Sequence, residues 1–276
     1  MVSMNRLSTA KRAAIVRALC EGCSIRSTVR ITGASKNTIV KLLAELGPVC
    51  AKFQDDHIRN LRCRRVQADE IWSFVGAKAK NVTDEQKAAG WGDCWTWTAL
   101  DADSKLIVSY AVGDRDLRTA CVFIEDVASR LANRVQLTTD GLRVYVTAVE
   151  AAFGEAIDYA ILAKVYAGES TGRYSPSRFI GATREVITGE PDAGHISTSY
   201  VERQNLTMRM SMRRFTRLTN GYSKKVANHS AMVSIYFMFY NFARVHASLR
   251  VTPAMEAGIS DHVWSIDEII GLLDSK

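Results

Sequence analysis

Apolar positions follow a helical period in the first fifty residues and give way to strand-like runs after residue 65. Leu7–Cys20 carries Leu7, Ala10, Ala14, Ile15, Ala18 and Leu19 on one side of a helix, and Glu21-Gly22-Cys23 interrupts it. Ser24 is placed to cap a second helix running to about Ile31, and Thr32-Gly33-Ala34 reads as a tight turn. Ser35 caps a third helix, Lys36–Leu46, which Gly47-Pro48 is expected to close. Val66–Val75 then reads as a strand by its β-branched and aromatic content. Alternation sets Asp69, Ile71, Ser73 and Val75 on one face and Ala68, Glu70, Trp72 and Phe74 on the other.

Two further strands, Trp95–Leu100 and Lys105–Val112, flank Asp101-Ala102-Asp103-Ser104, whose composition makes Asp101 and Asp103 turn residues. An amphipathic helix over Leu117–Asn133 leads into a short strand, Val135–Thr139, that stops at Asp140-Gly141. Tyr145–Phe153 reads as a helix and Ala156–Leu162 as a strand. Residues 164–196 are rich in Gly, Ser and Arg, too long for a plain connection, and are expected to form a functional or partly ordered excursion. Residues 201–218 lack Pro and Gly and favour a helix, and Ser223–Phe242 is a second helix whose aromatic end belongs to the core. A short tail helix comes last, in 259–276.

Charge divides this pattern. The chain has 276 residues and a net charge of +7, yet residues 1–65 hold 13 Lys and Arg against 4 Asp and Glu, so the rest is slightly acidic. That asymmetry points to a nucleic-acid-binding arm ahead of a different body. A helix, a Gly-bearing turn and a capped helix form a helix-turn-helix pattern over residues 1–50, with Ser35, Lys36, Asn37 and Lys41 facing DNA. Residues 51–65 read as a basic linker. No apolar run approaches the roughly 18 residues of a membrane span, and the start lacks a signal-peptide core, so the chain reads as cytosolic with no membrane partner. Six scattered cysteines in that setting read as reduced thiols; Cys20 and Cys23 lack a second close pair with which to hold zinc.

Two adjacent acids inside an apolar strand are costly unless something satisfies them, which singles out Asp69 and its neighbour Glu70. Asp140, just past a strand end and followed by Gly, occupies a common site position in open α/β sheets. Glu202 heads a run in which no acid occurs from Arg203 to Met255 while nine basic residues do. On a helical period Glu202, Asn205, Arg209 and Arg213 share a face, so a carboxylate would hold a cation beside arginines that grip an anionic polymer. Asp69, Asp140 and Glu202 lie far apart in the chain, so only the fold can gather them.

The segments A-D-E-I-W-S-F-V-G-A-K at 68–78, T-T-D-G-L-R-V-Y at 138–145 and E-R-Q-N-L-T-M-R at 202–209 resemble the catalytic blocks of DDE transposases of the insertion-sequence-one type. The stretch Y-N-F-A-R-V-H-A-S-L-R-V-T-P-A at 240–254 is similar to the ending of many transposases and integrases. The resemblance implies an α/β catalytic domain over 66–258, a ribonuclease H-like mixed sheet flanked by helices and preceded by the all-α helix-turn-helix domain. It further implies a triad of Asp69, Asp140 and Glu202 that holds two Mg²⁺ ions, or Mn²⁺ in their place, with Asn205 and Arg209 on DNA. Glu70 stays open as a rival to Asp69. The zinc-binding segment often found ahead of the helix-turn-helix in this family is not evident. The expected activity is cleavage at the element's terminal repeats and joining of the freed 3′-hydroxyls to target double-stranded DNA by a homodimer or larger assembly. A nuclease that never joins, and a catalytically inert DNA-binding repressor, are the alternatives.

Overall fold

The computed structural model describes residues 7–167, 178–216 and 218–274. In chain order it contains helices α1 (Thr9–Cys20), α2 (Ile25–Thr32) and α3 (Lys36–His57), then strand β1 (Arg65–Val75) and helix α4 (Asp84–Ala88). Strands β2 (Gly92–Asp101) and β3 (Ile107–Gly113), helix α5 (Leu117–Arg130), strand β4 (Gln136–Thr139) and helix α6 (Val144–Phe153) come next. Strands β5 (Asp158–Ala167) and β6 (Arg178–Thr188) precede helices α7 (Ser199–Ser211), α8 (Val226–Met238), α9 (Pro253–Glu256) and α10 (Ile266–Gly271). No helix among the described residues is long and apolar enough to cross a membrane.

Two compact units share the chain: one comprises residues 1–59, 71–96 and 204–276, the other 60–70 and 97–203. The first is mainly helical. Ser24 and Ser35 cap α2 and α3 as their sequence positions predict, each hydroxyl accepting the N–H three residues on. Gly33, at φ +66°, turns the chain between the two helices. The helix begun at Lys36 does not stop at Gly47-Pro48 but runs to His57, so half of the expected linker is helical. A proline in mid-helix forgoes one backbone hydrogen bond, a loss of about 3 kcal/mol. Packing against α8 compensates: a Cβ on Gly47 would lie 2.4 Å from the Cα of Ala231, so glycine is what lets the two backbones meet. Two turns on, Gln54 Nε2 donates to Ser234 O of α8 at 3.1 Å. The aromatic end of α8 is core, as expected, with Ile235, Tyr236, Phe237 and Met238 fully buried.

The strands form a mixed six-stranded sheet of order β3-β2-β1-β4-β5-β6. β1, β4 and β5 run parallel, and β6 returns antiparallel along β5. Helices α5 and α6 pack together, with Trp97 of β2 edge-on to Tyr145 of α6 at 5.3 Å and 6.0 Å from Phe123 of α5. The turn after β2 is built as expected: Asp101 accepts the Ser104 N–H at 2.9 Å, and Asp103 pairs with Arg65. The excursion at 164–196 proves to contain ordered structure. β5 extends to Ala167 and β6 pairs with it from Tyr159↔Thr188 to Ala167↔Arg178, while residues 168–177 lie outside the described residues. β5 is flanked by β4 only over Asp158–Ile161, so beyond that point β5 and β6 form a two-stranded ribbon.

A candidate active site on two adjacent parallel strands

The register of β1 and β4 positions the first two acids. Arg65↔Gln136 through Ala68↔Thr139 pair in parallel, so Asp69 and Asp140 are the next residues on neighbouring strands. β4 ends there, and Asp140 turns the chain toward α6 by accepting the Leu142 N–H on Oδ1 at 3.0 Å. Its other oxygen lies 3.9 Å from Arg115 Nη2. Glu202 comes from the first turn of α7, whose start is tied to β1: Gln67 Oε1 accepts the N–H groups of Tyr200 and Val201 at 2.9 and 3.1 Å. Asp69, Asp140 and Glu202 all line one open cleft of about 530 Å³, together with Arg115, Lys164 and Tyr166.

Within the cleft the carboxylates are not equivalent. One oxygen each of Asp69, Glu70 and Asp140 lies within 4.8 Å of the others, the one group of three potential metal ligands among the described residues. Glu202 stands outside that group. Its Oε2 pairs with Lys164, and its Oε1 accepts the Thr198 hydroxyl at 2.6 Å. Glu70, buried and on the opposite strand face from Asp69, is claimed from both sides. Oε1 accepts Arg115 Nε at 2.6 Å and Oε2 accepts the Tyr145 hydroxyl at 3.1 Å. Arg115 and Lys164 carry no motif: their roles depend on which loop or strand the fold brings to the acids, and no local sequence signal marks them. Tyr145 is the last residue of the T-T-D-G-L-R-V-Y block, in which the resemblance singles out Asp140.

Electrostatics reflect this crowding. Burial pushes the Asp69 carboxyl up to about 7, and the charges of Glu70, Asp140 and Glu202 add to the rise. Glu70 is raised by its burial and by Asp140, against the opposing pull of Arg115. The Tyr145 hydroxyl is pushed far above its ordinary range by burial beside Glu70. Oxygen donors that repel one another when ionised, in a cleft open to water, suit a hard divalent cation, which takes oxygen ligands and retains water. The donor set therefore fits Mg²⁺ or Mn²⁺.

The residues expected on DNA divide. Ser35, Lys36, Asn37 and Lys41 are all exposed along the first half of α3, with Ser35 also serving as the cap. Asn205 is 5% exposed and so withdrawn from any polyanion at the surface. Arg209 is half-buried. Helix α7 stops at Ser211 and Arg213 lies in a separate 3₁₀ turn, so the four-residue stripe from Glu202 to Arg213 does not form. Arg217 lies outside the described residues. The six cysteines are free, and burial raises the thiols of Cys20 and Cys50, the latter to about 12.

No protein-family model matches the sequence, and no curated protein matches it. Among solved structures the chain is similar to the piggyBac transposase in a cryo-EM structure of its synaptic complex with hairpin DNA. The overlap has a TM-score of 0.42 and 11% identity, and it covers 96% of this chain and 69% of that one. So shallow a likeness carries no functional weight.

Proposed function

We propose that this chain is a DDE transposase with a ribonuclease H-like catalytic unit, in which Asp69, Asp140 and Glu202 hold divalent cations. One observation carries the reading: Asp69, inside β1, and Asp140, just past the carboxyl end of β4, each follow the last paired residue of two adjacent parallel strands, with Glu202 on the wall of the same cleft. The parallel β1-β4-β5 core, with α5 and α6 packed on each other, supports the fold reading. Asp69 is favoured over Glu70 as the first ligand, because both Glu70 oxygens already have donors while Asp69 lines the cleft.

A divalent pair held there supplies charge stabilisation for the attacking and leaving oxygens of an in-line phosphoryl displacement. In the hydrolytic step a water oxygen bonds to phosphorus, the bond from phosphorus to the 3′-oxygen breaks, and that oxygen leaves as a 3′-hydroxyl. In the joining step the hydroxyl oxygen bonds to a target phosphorus, and the target's own 3′-oxygen departs with a proton. The chain's residues orient this chemistry. Gln67 fixes the first turn of α7, Glu70 and Tyr145 hold the Arg115 side, and Arg115 presents a guanidinium beside Asp140 to a phosphodiester. The exposed first half of α3, with Ser35, Lys36, Asn37 and Lys41, is the surface proposed for the element's ends. Concerted cutting of two ends calls for a dimer or larger assembly.

The test is Asp140→Asn. The purified variant is expected to lose nicking of end-containing DNA in Mg²⁺ while keeping its fold by circular dichroism; retained nicking overturns the site. Strand-transfer products on a pre-cut end separate a transposase from a nuclease that only cuts, and end binding indifferent to metal with no cleavage marks an inert repressor.

A further inference from the structure

We infer that Lys164 is an exchangeable counter-ion for Glu202, held by that carboxylate until a divalent cation takes its place and then left in the cleft for a DNA phosphate. This rests on the proposed metal site in the same cleft. Both oxygens of Glu202 are occupied, Oε2 by the Lys164 ammonium and Oε1 by the Thr198 hydroxyl. The ion pair thus holds Glu202 toward Lys164 rather than toward Asp69 and Asp140, in keeping with its place outside their 4.8 Å group.

The position of Lys164 suits it to leave. It sits on β5 past Ile161, where β4 no longer flanks the strand and the backbone pairs with β6 at Lys164↔Ala182. Its neighbours along the cleft wall are Ala163 and Tyr166, and the cleft also holds Arg115. A dication among these acids competes for the same Glu202 oxygen and repels the ammonium. A phosphodiester arriving with it brings the negative charge that the released ammonium lacks. Metal and DNA are therefore expected to load cooperatively, each strengthening the other by linkage. Lys164 is thus a positioning residue for Glu202, acting before any bond is broken.

Mn²⁺ affinity, measured by the electron paramagnetic resonance of free Mn²⁺ with and without a short DNA duplex, tests this. Without DNA, Lys164→Gln is expected to bind Mn²⁺ roughly three- to fivefold more tightly than the unaltered chain, the scale of a partly exposed ion pair. DNA should tighten Mn²⁺ binding in the unaltered chain and in Lys164→Arg, but not in Lys164→Gln. If Lys164→Gln matches the unaltered chain in both conditions while Asp140→Asn weakens Mn²⁺ binding, the exchange is overturned and the metal site stands. If Asp140→Asn leaves Mn²⁺ affinity unchanged, the metal reading fails and the exchange with it.

Discussion

Gln67, two residues before Asp69 on β1, holds the backbone N–H of Val201 at 3.1 Å, one residue before Glu202. It holds the Tyr200 N–H as well, so a single buried amide oxygen ties the helix bearing the third acid to the strand bearing the first. Such a cap contributes about 1 kcal/mol, and stranding the buried Val201 donor costs more. Gln67→Leu is therefore expected to lose about 2 kcal/mol in urea melts. It should also weaken Mn²⁺ binding although it touches no ligand, because the amino end of α7 is released. Unchanged metal affinity would mean that α7 is placed by other contacts.

Asp69 carries a cost in the metal-free protein. Its carboxyl is raised from 3.8 to about 7, so between those values the folded chain binds more protons than the unfolded one. Stability from this group is thus present at acid pH and is lost as pH rises through about 7. Asp69→Asn is expected to raise the thermal midpoint of the metal-free protein above pH 7, by the equivalent of about 2 kcal/mol after allowing for partial exposure. The same change should abolish the midpoint rise produced by Mn²⁺. A lower midpoint without metal would contradict it.

His229 acts in the opposite direction. It is fully buried between the hydroxyls of Ser73 and Ser223, at 3.3 and 3.2 Å, and burial with the nearby Arg214 charge pushes it down from 6.5 to about 3. The unfolded chain takes up a proton below pH 6.5 that the folded chain refuses until about 3, so stability falls on acidification through that window. The variant His229→Gln should flatten the slope between pH 6 and 4 by about 2 kcal/mol or more. Parallel pH profiles of the two proteins would show that the ring is not excluded from water in solution.

Gly47→Ala sets two effects against each other. Alanine is the better helix former by about 1 kcal/mol. Its Cβ, however, would sit 2.4 Å from both Cα and Cβ of Ala231, a backbone clash that no rotamer relieves. Overpacking costs about 1–3 kcal/mol or more, so a net loss of stability is expected in a denaturant titration. A gain would show that α3 and α8 can separate cheaply.

Lys36 and Lys41 are exposed, and Lys41 pairs with Glu45 at 3.7 Å, a surface pair of little weight. Replacing both with Ala should leave the thermal midpoint unmoved. The plot of log affinity for end-containing DNA against log salt should flatten by about 0.9 per lost phosphate contact. An unchanged slope would remove the first half of α3 from the DNA interface.

Whether an element is legible in the residues alone depends on whether burial leaves a mark on the sequence. β1 is largely buried, and its β-branched and aromatic content announces both the strand and the acids inside it, while Asp140 is marked by its place just past the short β4. β6 is exposed along most of its length and has no apolar alternation, so its stretch reads as an excursion. The end of α3 is hidden for a different reason: Gly47-Pro48 is a strong local stop signal, overridden by the contact with Ala231 some 180 residues away. Arg115 and Lys164 have no local signal, because their importance arises only from which acids the sheet brings beside them. The Glu202 stripe fails at its far end because helix propensity does not mark where α7 gives way to a 3₁₀ turn at Arg213.

The unbroken α3 has a mechanical meaning. At 1.5 Å per residue its 22 residues make a rod about 33 Å long. Pro48, the point where such a rod would ordinarily bend, adjoins the glycine that is clamped on α8. The residue pair at which most helices would break therefore lies where α3 is packed on Ala231 of α8.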